Sequence, residues 1–159
     1  MGASVINDNT EILQLVTFMI GNEEYGVDIL FVHEINRTIQ ITRVPNTPSF
    51  VDGVVNLRGK IIPIVNLRKK LGLDKKRIDN DTRIIVIEMG GTIIGFVVDK
   101  VKEVLRVPSG LFENPPDITN GANSEYIKAV GKLDDRLLLM IDLEKVFTNN
   151  EAIELKQAV

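Results

Sequence analysis

The feature that most constrains the fold of this 159-residue chain is an internal repeat. Residues 51–71 align without gaps on residues 127–147, and the apolar positions of the two copies coincide. Each copy reads as a strand, a charged turn, a second strand and a short capped helical turn. The repeat predicts two similar small β units related by a pseudo-twofold axis. Because units of this size enclose few side chains, we expect a shared core between them.

A weaker echo precedes each copy. Four residues of the first half recur at the same mutual spacing in the second half: Gly26, Val32, Glu34 and Ile35 match Gly95, Val101, Glu103 and Val104. The echo extends the predicted repeat over most of the chain.

Short apolar segments between turn signals predict that most of the ordered chain is β-strand. The predicted strands are residues 12–20, 25–27, 39–44, 54–57, 60–65, 83–89, 92–98, 103–107, 127–133 and 137–141. Gly90 and Gly91 predict a two-residue hairpin turn. Helical pattern is brief and follows Asn66 and Asp142, either of which can cap a first turn. The pattern indicates a mainly β fold of barrels or a sandwich with a few short helices, and the C-terminal NNEAIELKQAV fits a helix or a frayed tail.

Composition restricts both the compartment and the chemistry. The chain has no cysteine, which excludes disulfides, a thiol nucleophile and a thiolate zinc site. A net charge of -3 gives no overall attraction to phosphate backbones. The apolar run 137–141 is too short to span a bilayer, and the first residues do not read as a secretory signal. We expect a cytoplasmic protein that does not insert into the membrane directly.

The residues that catalysis requires are scarce. His33 is the only histidine, and no Gly-x-Ser-x-Gly elbow accompanies it. The acidic pair Asp134 and Asp135 reads as part of a turn, where solvated carboxylates are ordinary. The sequence therefore predicts no enzyme, and no catalytic, cofactor-binding or metal-binding residue.

Two other classes remain as weaker alternatives. A small β-barrel nucleic-acid-binding module would need exposed aromatic residues beside basic ones, and most aromatic residues of this chain lie within apolar runs. A phosphoacceptor domain is suggested only by the VVDK stretch at 97–100, and the alternating helices of that class are missing.

The turn between the first pair of repeat strands carries Arg58-Gly59-Lys60, where the second copy has Asp134-Asp135-Arg136. Both sequences are acceptable turns, so the turn itself does not require Arg58. Arg58 fits either a solvated tip or a protein interface, because a guanidinium beside apolar residues suits protein contacts.

The run VPNTPSFVDGVVNLRGKIIPIVNLRKKLGL resembles the signature of the CheW-like family of bacterial chemotaxis coupling proteins. The resemblance extends to EEYGVDILFVHEI and GFVVDKVKEVLRV and covers the chain from residue 12 to about residue 147. It implies two SH3-like five-stranded β-barrels around a shared hydrophobic core. It also implies a single domain, 12–148, made of two intertwined subdomains, with tails at 1–11 and 149–159 and a monomer when free.

The resemblance implies a non-enzymatic adaptor without a cofactor. Such an adaptor couples the cytoplasmic tips of chemoreceptors, the methyl-accepting chemotaxis proteins, to the regulatory domain of the histidine kinase CheA, within membrane-associated receptor arrays. The carried-over receptor-binding candidates are Val32, Glu34, Gly53, Asn56, Leu57, Arg58, Gly95 and Val104. Ile29 and Leu30 are the kinase-binding candidates.

Some of these positions have a second interpretation or depart from the family pattern. Gly53 and Gly95 fit a purely structural role equally well. Many family members have arginine directly after Glu-Ile, whereas Asn36 stands there and Arg37 follows. Asn66 occupies a place often taken by aspartate, and it keeps the capability to cap a helix.

Overall fold

The computed structural model describes residues 11–115 and 126–146, and the chain is mainly β within them. The eleven strands of the described residues are β1 (Ile12–Ile20), β2 (Glu23–Asp28), β3 (Val32–Arg37), β4 (Val51–Leu57), β5 (Lys60–Asn66), β6 (Arg83–Met89), β7 (Thr92–Val98), β8 (Lys100–Pro108), β9 (Phe112–Glu113), β10 (Ile127–Lys132) and β11 (Leu137–Ile141). One α-helical turn, α1 (Leu67–Lys70), and 3₁₀ turns at Ile29–Phe31, Ser109–Leu111 and Leu143–Val146 accompany them.

These strands form two sheets. The first sheet has the order β8-β1-β2-β11-β10-β9, and the second sheet has the order β3-β6-β7-β5-β4. The prediction of a mainly β fold with a few short helices is confirmed. The second sheet has the five strands expected of each unit, whereas the two-residue strand β9 adds a sixth to the first sheet.

The two hairpins of the repeat pair in the same register. Val55 lies opposite Ile62 in the first hairpin, and Gly131 lies opposite Leu138, each 76 positions later, in the second. Both hairpins also shift register at their first pair. Identical pairing, including this irregularity, means that the repeated sequence corresponds to a repeated backbone structure.

The weaker repeat also pairs equivalently in the two halves, with a spacing of 69 residues between matching positions. Thr17 lies opposite Gly26 in the β1–β2 pair, and Val86 lies opposite Gly95 in the β6–β7 pair. The parallel pairs β2–β11 and β5–β7 are equivalent as well, since Gly26 meets Met140 and Gly95 meets Ile64.

Each sheet combines strands from both halves of the chain. Strand β3 of the first half pairs with β6 of the second, and β8 of the second half pairs with β1 of the first. Because this exchange is reciprocal, the two halves are interlocked. The assignment of residues 12–148 to one domain of two subdomains stays a prediction, and residues 147–148 and most of both predicted tails lie outside the described residues.

Each sheet closes by joining its two edges. Beyond β3, the backbone of Thr42 pairs with Val54 of β4 through two hydrogen bonds of 2.8 Å. Beyond β8, the short strand β9 pairs with β10, Glu113 lying opposite Val130. Both sheets therefore curl until one edge strand, or the chain leaving it, meets the other edge.

The buried residues that the structure describes form three clusters. The largest, the shared core, takes residues from both sheets, including Phe18, Tyr25, Phe96 and Ile141. Two smaller clusters lie inside the individual sheets, one around Leu15 and one around Ile64, Ile84 and Val86. The sequence of β6 is almost wholly apolar because both of its faces are buried. Ile84 and Val86 face the small cluster, while Ile85 and Ile87 face the shared core.

Local predictions had mixed outcomes. Asn66 caps α1 with a 3.4 Å hydrogen bond from the backbone nitrogen of Lys69 to its side-chain oxygen, and Gly90 and Gly91 form the predicted turn with positive φ. The strand predicted at 39–44 is wrong. Only Thr42 makes a bridge there, and the strand lies earlier, at β3. The predicted C-terminal helix or tail falls outside the described residues.

Candidate protein-interaction site

The turn between β4 and β5 has an unusual backbone for its sequence. Arg58 has φ +53° and Gly59 has φ +83°, so both central residues of this two-residue connection are left-handed. The backbone nitrogen of Gly59 donates to the side-chain oxygen of Asn56 over 3.0 Å. Positive φ at both positions suits the twist of a tight hairpin, but it disfavours a residue with a side chain at Arg58.

Arg58 forms an ion pair with Glu34 of β3. The two residues come from β3 and the β4–β5 turn, and β3 and β4 are the opposite edges of the second sheet. The ion pair therefore spans the seam where this sheet closes. Asn36 donates a second hydrogen bond, of 2.8 Å, to the Glu34 carboxylate.

The hydrogen bonds define the charge state of this seam. The hydrogen bond from Arg58, followed by that from Asn36, lowers the pKa of Glu34 below its ordinary value. The same bond to Glu34 raises the pKa of Arg58. Glu34 and Arg58 are therefore both charged at neutral pH, and most of the Arg58 side chain, 74% of it, remains exposed. An acidic partner group has access to this guanidinium.

The remaining receptor-binding candidates are spread over both sheets. Val32 is half-buried against the shared core, and Leu57 is half-buried against the small cluster of the second sheet. Asn56 is exposed beside the turn. Val104 is exposed on β8 of the first sheet, opposite Val16. The contacts bring Glu34, Asn56 and Arg58 together at one seam, whereas Val104 belongs to the other sheet.

Gly53 and Gly95 are both buried and tightly enclosed. A Cβ at Gly53, where φ is +147°, would lie 2.2 Å from the carbonyl oxygen of Thr42. A Cβ at Gly95 would lie 2.7 Å from a methyl carbon of Ile64 and 2.9 Å from one of Ile84. Both glycines thus have a packing role in the second sheet, and neither presents an exposed contact surface.

The kinase-binding candidates lie in the 3₁₀ turn that follows β2. Asp28 caps this turn by accepting a 2.9 Å hydrogen bond from the backbone nitrogen of Leu30. Ile29 packs against the shared core, while Leu30 is 86% exposed. Phe31, which the sequence analysis did not select, is half-exposed beside Leu30. Its aromatic side chain follows the predicted pair directly in the sequence.

A second charged seam, which was not predicted, lies at the turn between β10 and β11. Arg136 donates to Glu24 over 2.7 Å and to Glu103 over 3.2 Å. Glu103 is the repeat counterpart of Glu34, so both sheets place an arginine of the hairpin turn against a glutamate of an edge strand. Glu24 is buried, and its second oxygen has no hydrogen-bond partner among the described residues.

The rest of the described surface offers little for catalysis. His33 lies 3.0 Å from Glu88, and both side chains are about half-exposed. Within residues 11–115 and 126–146, no group of three or more histidine, cysteine, aspartate or glutamate side chains is placed to hold a metal ion. No helix in the described part of the chain is long and apolar enough to cross a membrane.

Two interlocked β-sheets around a shared core, with a charged turn at the seam of one sheet, define a two-sheet β domain of the kind expected from the repeat. The chain belongs to the CheW-like family. The family model described as "CheW-like domain" matches residues 14–151. The predicted family resemblance is confirmed.

Relatives with assigned names agree with this result. The chain is 40% identical to the chemotaxis protein CheW of Klebsiella aerogenes over 138 residues, covering 87% of this chain and 83% of that protein. It is 39% identical to the chemotaxis protein CheW of Helicobacter pylori, with 87% and 84% coverage. The crystal structure of the scaffolding protein TtCheW from Thermoanaerobacter tengcongensis has a TM-score of 0.81 at 37% identity, covering 89% of this chain and 96% of that one.

Proposed function

We propose that this chain is a non-enzymatic adaptor of bacterial chemotaxis that couples the cytoplasmic tips of chemoreceptors to the histidine kinase CheA. Membership of the CheW-like family and similarity to proteins named for chemotaxis and scaffolding support an adaptor. The observation that carries the receptor-binding part is the exposed Arg58 guanidinium, held in place by Glu34 at the seam of the second sheet.

The receptor surface that we propose centres on this turn. Arg58 has donors left over after pairing with Glu34, because a guanidinium carries five N–H groups. Leu57 directly precedes Arg58, and Val32 lies on β3, the strand of Glu34; both are half-buried, so we propose that a helical receptor tip meets apolar area together with one fixed cation. Gly53 and Gly95 are buried within the second sheet and are not proposed as contacts.

For the kinase we propose a separate surface on the 3₁₀ turn Ile29–Phe31. Leu30 projects almost entirely into solvent, and Phe31 extends the apolar area beside it. A capped, rigid turn with exposed apolar side chains loses little conformational entropy on binding, which favours a protein contact. Recruitment to membrane-associated receptor arrays would follow from these two contacts.

The nucleic-acid alternative receives little support from the aromatic residues. Phe18, Tyr25, Phe50, Phe96 and Tyr126 are all buried, and Phe31 is the one exposed ring among the described residues. A sequence-tolerant single-strand binder needs exposed rings on which bases can stack. The binding of protein partners is therefore the better account of this surface.

The variant Arg58→Glu tests the receptor surface. It replaces the exposed cation by an anion beside Glu34, so receptor affinity should fall by about tenfold or more, because reversing a contact charge costs several kcal/mol when the contact is desolvated. Binding to the CheA regulatory domain should be preserved. The measurements are titrations with a receptor-tip fragment and with the kinase domain, and thermal unfolding of each variant.

A charge swap and a matched control make the result specific. Glu34→Arg with Arg58→Glu restores an ion pair across the seam but not the cation offered to a partner, so it should remain defective. Lys145→Glu makes the same change in charge at an exposed lysine away from the turn and should bind normally. Rescue by the swap would show that Arg58 acts only within the fold, and unchanged affinity of Arg58→Glu would overturn the receptor surface.

A further inference from the structure

A second concave surface, which we call the basic cleft, lies where α1, the segment before β4 and the loop before β6 meet. It has a volume of about 240 Å³. Its cationic side chains are Arg43, Arg68, Lys69, Lys75, Lys76 and Arg77. Apolar residues that include Ile41, Val51 and Val97 also line the cleft.

Half of these cations are already paired. Arg68 donates to Asp99 over 2.5 Å and to the carbonyl oxygen of Asp74 over 2.7 Å. Lys69 lies 3.6 Å from Asp52, and Lys76 lies 3.3 Å from Asp79. These pairs fix the backbone of the cleft and neutralise part of its charge.

The other three cations, Arg43, Lys75 and Arg77, have no hydrogen-bond or ion-pair partner among the described residues. They come from two separate segments of the chain, since Arg43 precedes β4 and the other two precede β6. Six cationic side chains and two acidic ones, Asp52 and Asp99, line the cleft, and Asp79 pairs with Lys76 beside it, so an excess of three positive charges remains although the whole chain has a net charge of -3. The cleft therefore has a local field opposite in sign to that of the molecule.

We propose that the basic cleft binds an acidic peptide segment of a partner protein. Carboxylates of the segment would pair with Arg43, Lys75 and Arg77. An apolar side chain of the segment would lie against the exposed Ile78 and the partly buried Val97. The surface thereby fits an extended segment in which acidic and apolar residues are interspersed.

The geometry favours a peptide over a compact anion. A phosphate or sulfate ion is held by donors that converge on one point, such as successive backbone N–H groups or a bidentate arginine. Here the unpaired cations belong to two separate segments of the chain, and Arg68, the arginine nearest the buried carboxylate, is already engaged by Asp99. Cations from separate segments beside apolar residues match a ligand that carries both carboxylates and apolar groups.

The basic cleft is distinct from the receptor surface. It lies at the Val51 end of strand β4, and Arg58 follows the other end of that strand. Six residues of extended chain separate Val51 from Leu57, which corresponds to about 20 Å. The proposal therefore goes beyond the proposed function and does not depend on it.

The test uses the full chain and a fluorescein-labelled peptide of Glu-Leu-Glu repeats, with binding followed by fluorescence anisotropy at low salt. The variant Lys75→Glu/Arg77→Glu should weaken binding by about tenfold, because each reversal replaces an attractive surface pair by a repulsive one. Lys100→Glu/Lys145→Glu makes the same change in net charge on exposed lysines outside the cleft and should bind within about twofold of the parent. Receptor-tip binding should be unchanged in both double variants.

Two further peptides separate the contribution of charge to binding from that of apolar contact. Gln-Leu-Gln repeats keep the apolar side chains without charge, Glu-Gly-Glu repeats keep the charge alone, and both should bind more weakly than Glu-Leu-Glu. Saturable binding that only the cleft variant loses supports the proposal. Equal loss in both double variants, no saturable binding, or competition by pyrophosphate that removes all peptide preference would overturn it. Because receptor binding is measured on the same samples, failure of the cleft proposal is distinguishable from failure of the adaptor proposal.

Discussion

At position 58, the effect of a substitution on stability can be separated from its effect on receptor binding. The positive φ of Arg58 disfavours a side chain, whereas glycine adopts this region freely. An Arg58→Gly variant would lose the exposed ion pair but also the backbone strain, so its melting temperature should stay within about 3 °C of the parent. Receptor-tip affinity should nevertheless fall as in Arg58→Glu. A large loss of thermal stability would instead make the guanidinium a structural group.

Gly53 and Gly95 differ from Arg58, because adding a side chain at either glycine should lower the stability of the fold. A Cβ at Gly53 meets a backbone oxygen that cannot move aside, and one at Gly95 meets the ends of two flexible side chains. We expect Gly95→Ala to lower the free energy of unfolding by about 1–3 kcal/mol, as overpacking of a core does. Gly53→Ala should cost more, because the fixed contact adds to an unfavourable φ.

Urea unfolding of Gly53→Ala and Gly95→Ala measures which variant loses more free energy of unfolding. Gly72→Ala, at a positive φ with open space around the Cα atom, is the control for backbone strain alone. Loss of receptor binding in the Gly53 or Gly95 variant without loss of stability would contradict the packing role.

At the scale of elements, strands buried on both faces were predictable and an edge strand was not. Strands β1, β6, β7 and β11 have the predicted bounds, because one face packs in a small cluster and the other in the shared core. Strand β3 has the sequence VHEINR, with only one face partly buried, so its apolar signal is weak. The Ile-rich segment 39–44 imitates a strand but crosses the end of the closed sheet with one bridge.

The candidate site was predictable to the same extent. The turn at Arg58 follows from local sequence, since Asn, Gly and the flanking apolar residues are contiguous. Its pairing with Glu34 depends on which edges meet when the sheet closes, and local pattern does not contain that information. The same reason explains why the contacts of Arg136 and the basic cleft, which combine distant segments, were not predicted.

The helix α1 is tied to both sheets through one carboxylate. Asp99 accepts hydrogen bonds from Arg68 of α1 and, over 2.7 Å, from the backbone nitrogen of Gly21 in the β1–β2 turn. Arg68→Met should lower the free energy of unfolding by about 2–4 kcal/mol, because it leaves a buried carboxylate without its counter-ion. Lys69→Met, which removes a more exposed and longer pair with Asp52, should cost less than about 1 kcal/mol.

Chemical denaturation measures both variants. The double variant Arg68→Met/Asp99→Asn should recover most of the loss, because it removes the unpaired charge while an amide oxygen can still accept from Gly21. Equal stability of Arg68→Met and Lys69→Met would show that the Asp99 contact contributes little.

At the scale of the whole molecule, the reciprocal exchange of β3 and β8 determines how the chain holds together. Each sheet needs strands from both halves, and the shared core draws on both sheets. The two halves are similar in pairing but are not independent in packing. A surface on one sheet is therefore anchored by strands from both halves of the chain.

This interlocking makes a prediction about the two halves as separate polypeptides. A fragment of residues 1–76 retains the β1–β2 and β4–β5 hairpins, but β3 loses its partner β6 and β5 loses β7. A fragment of residues 77–159 likewise separates β8 from β1. Because isolated hairpins are marginally stable in water, neither fragment alone should unfold cooperatively in urea, and an equimolar mixture should regain a cooperative transition. The control is the full chain cleaved in the loop before β6 after folding, which should match the mixture by circular dichroism. Cooperative unfolding of either fragment by itself would show that one half completes its own sheet and that the exchange is dispensable.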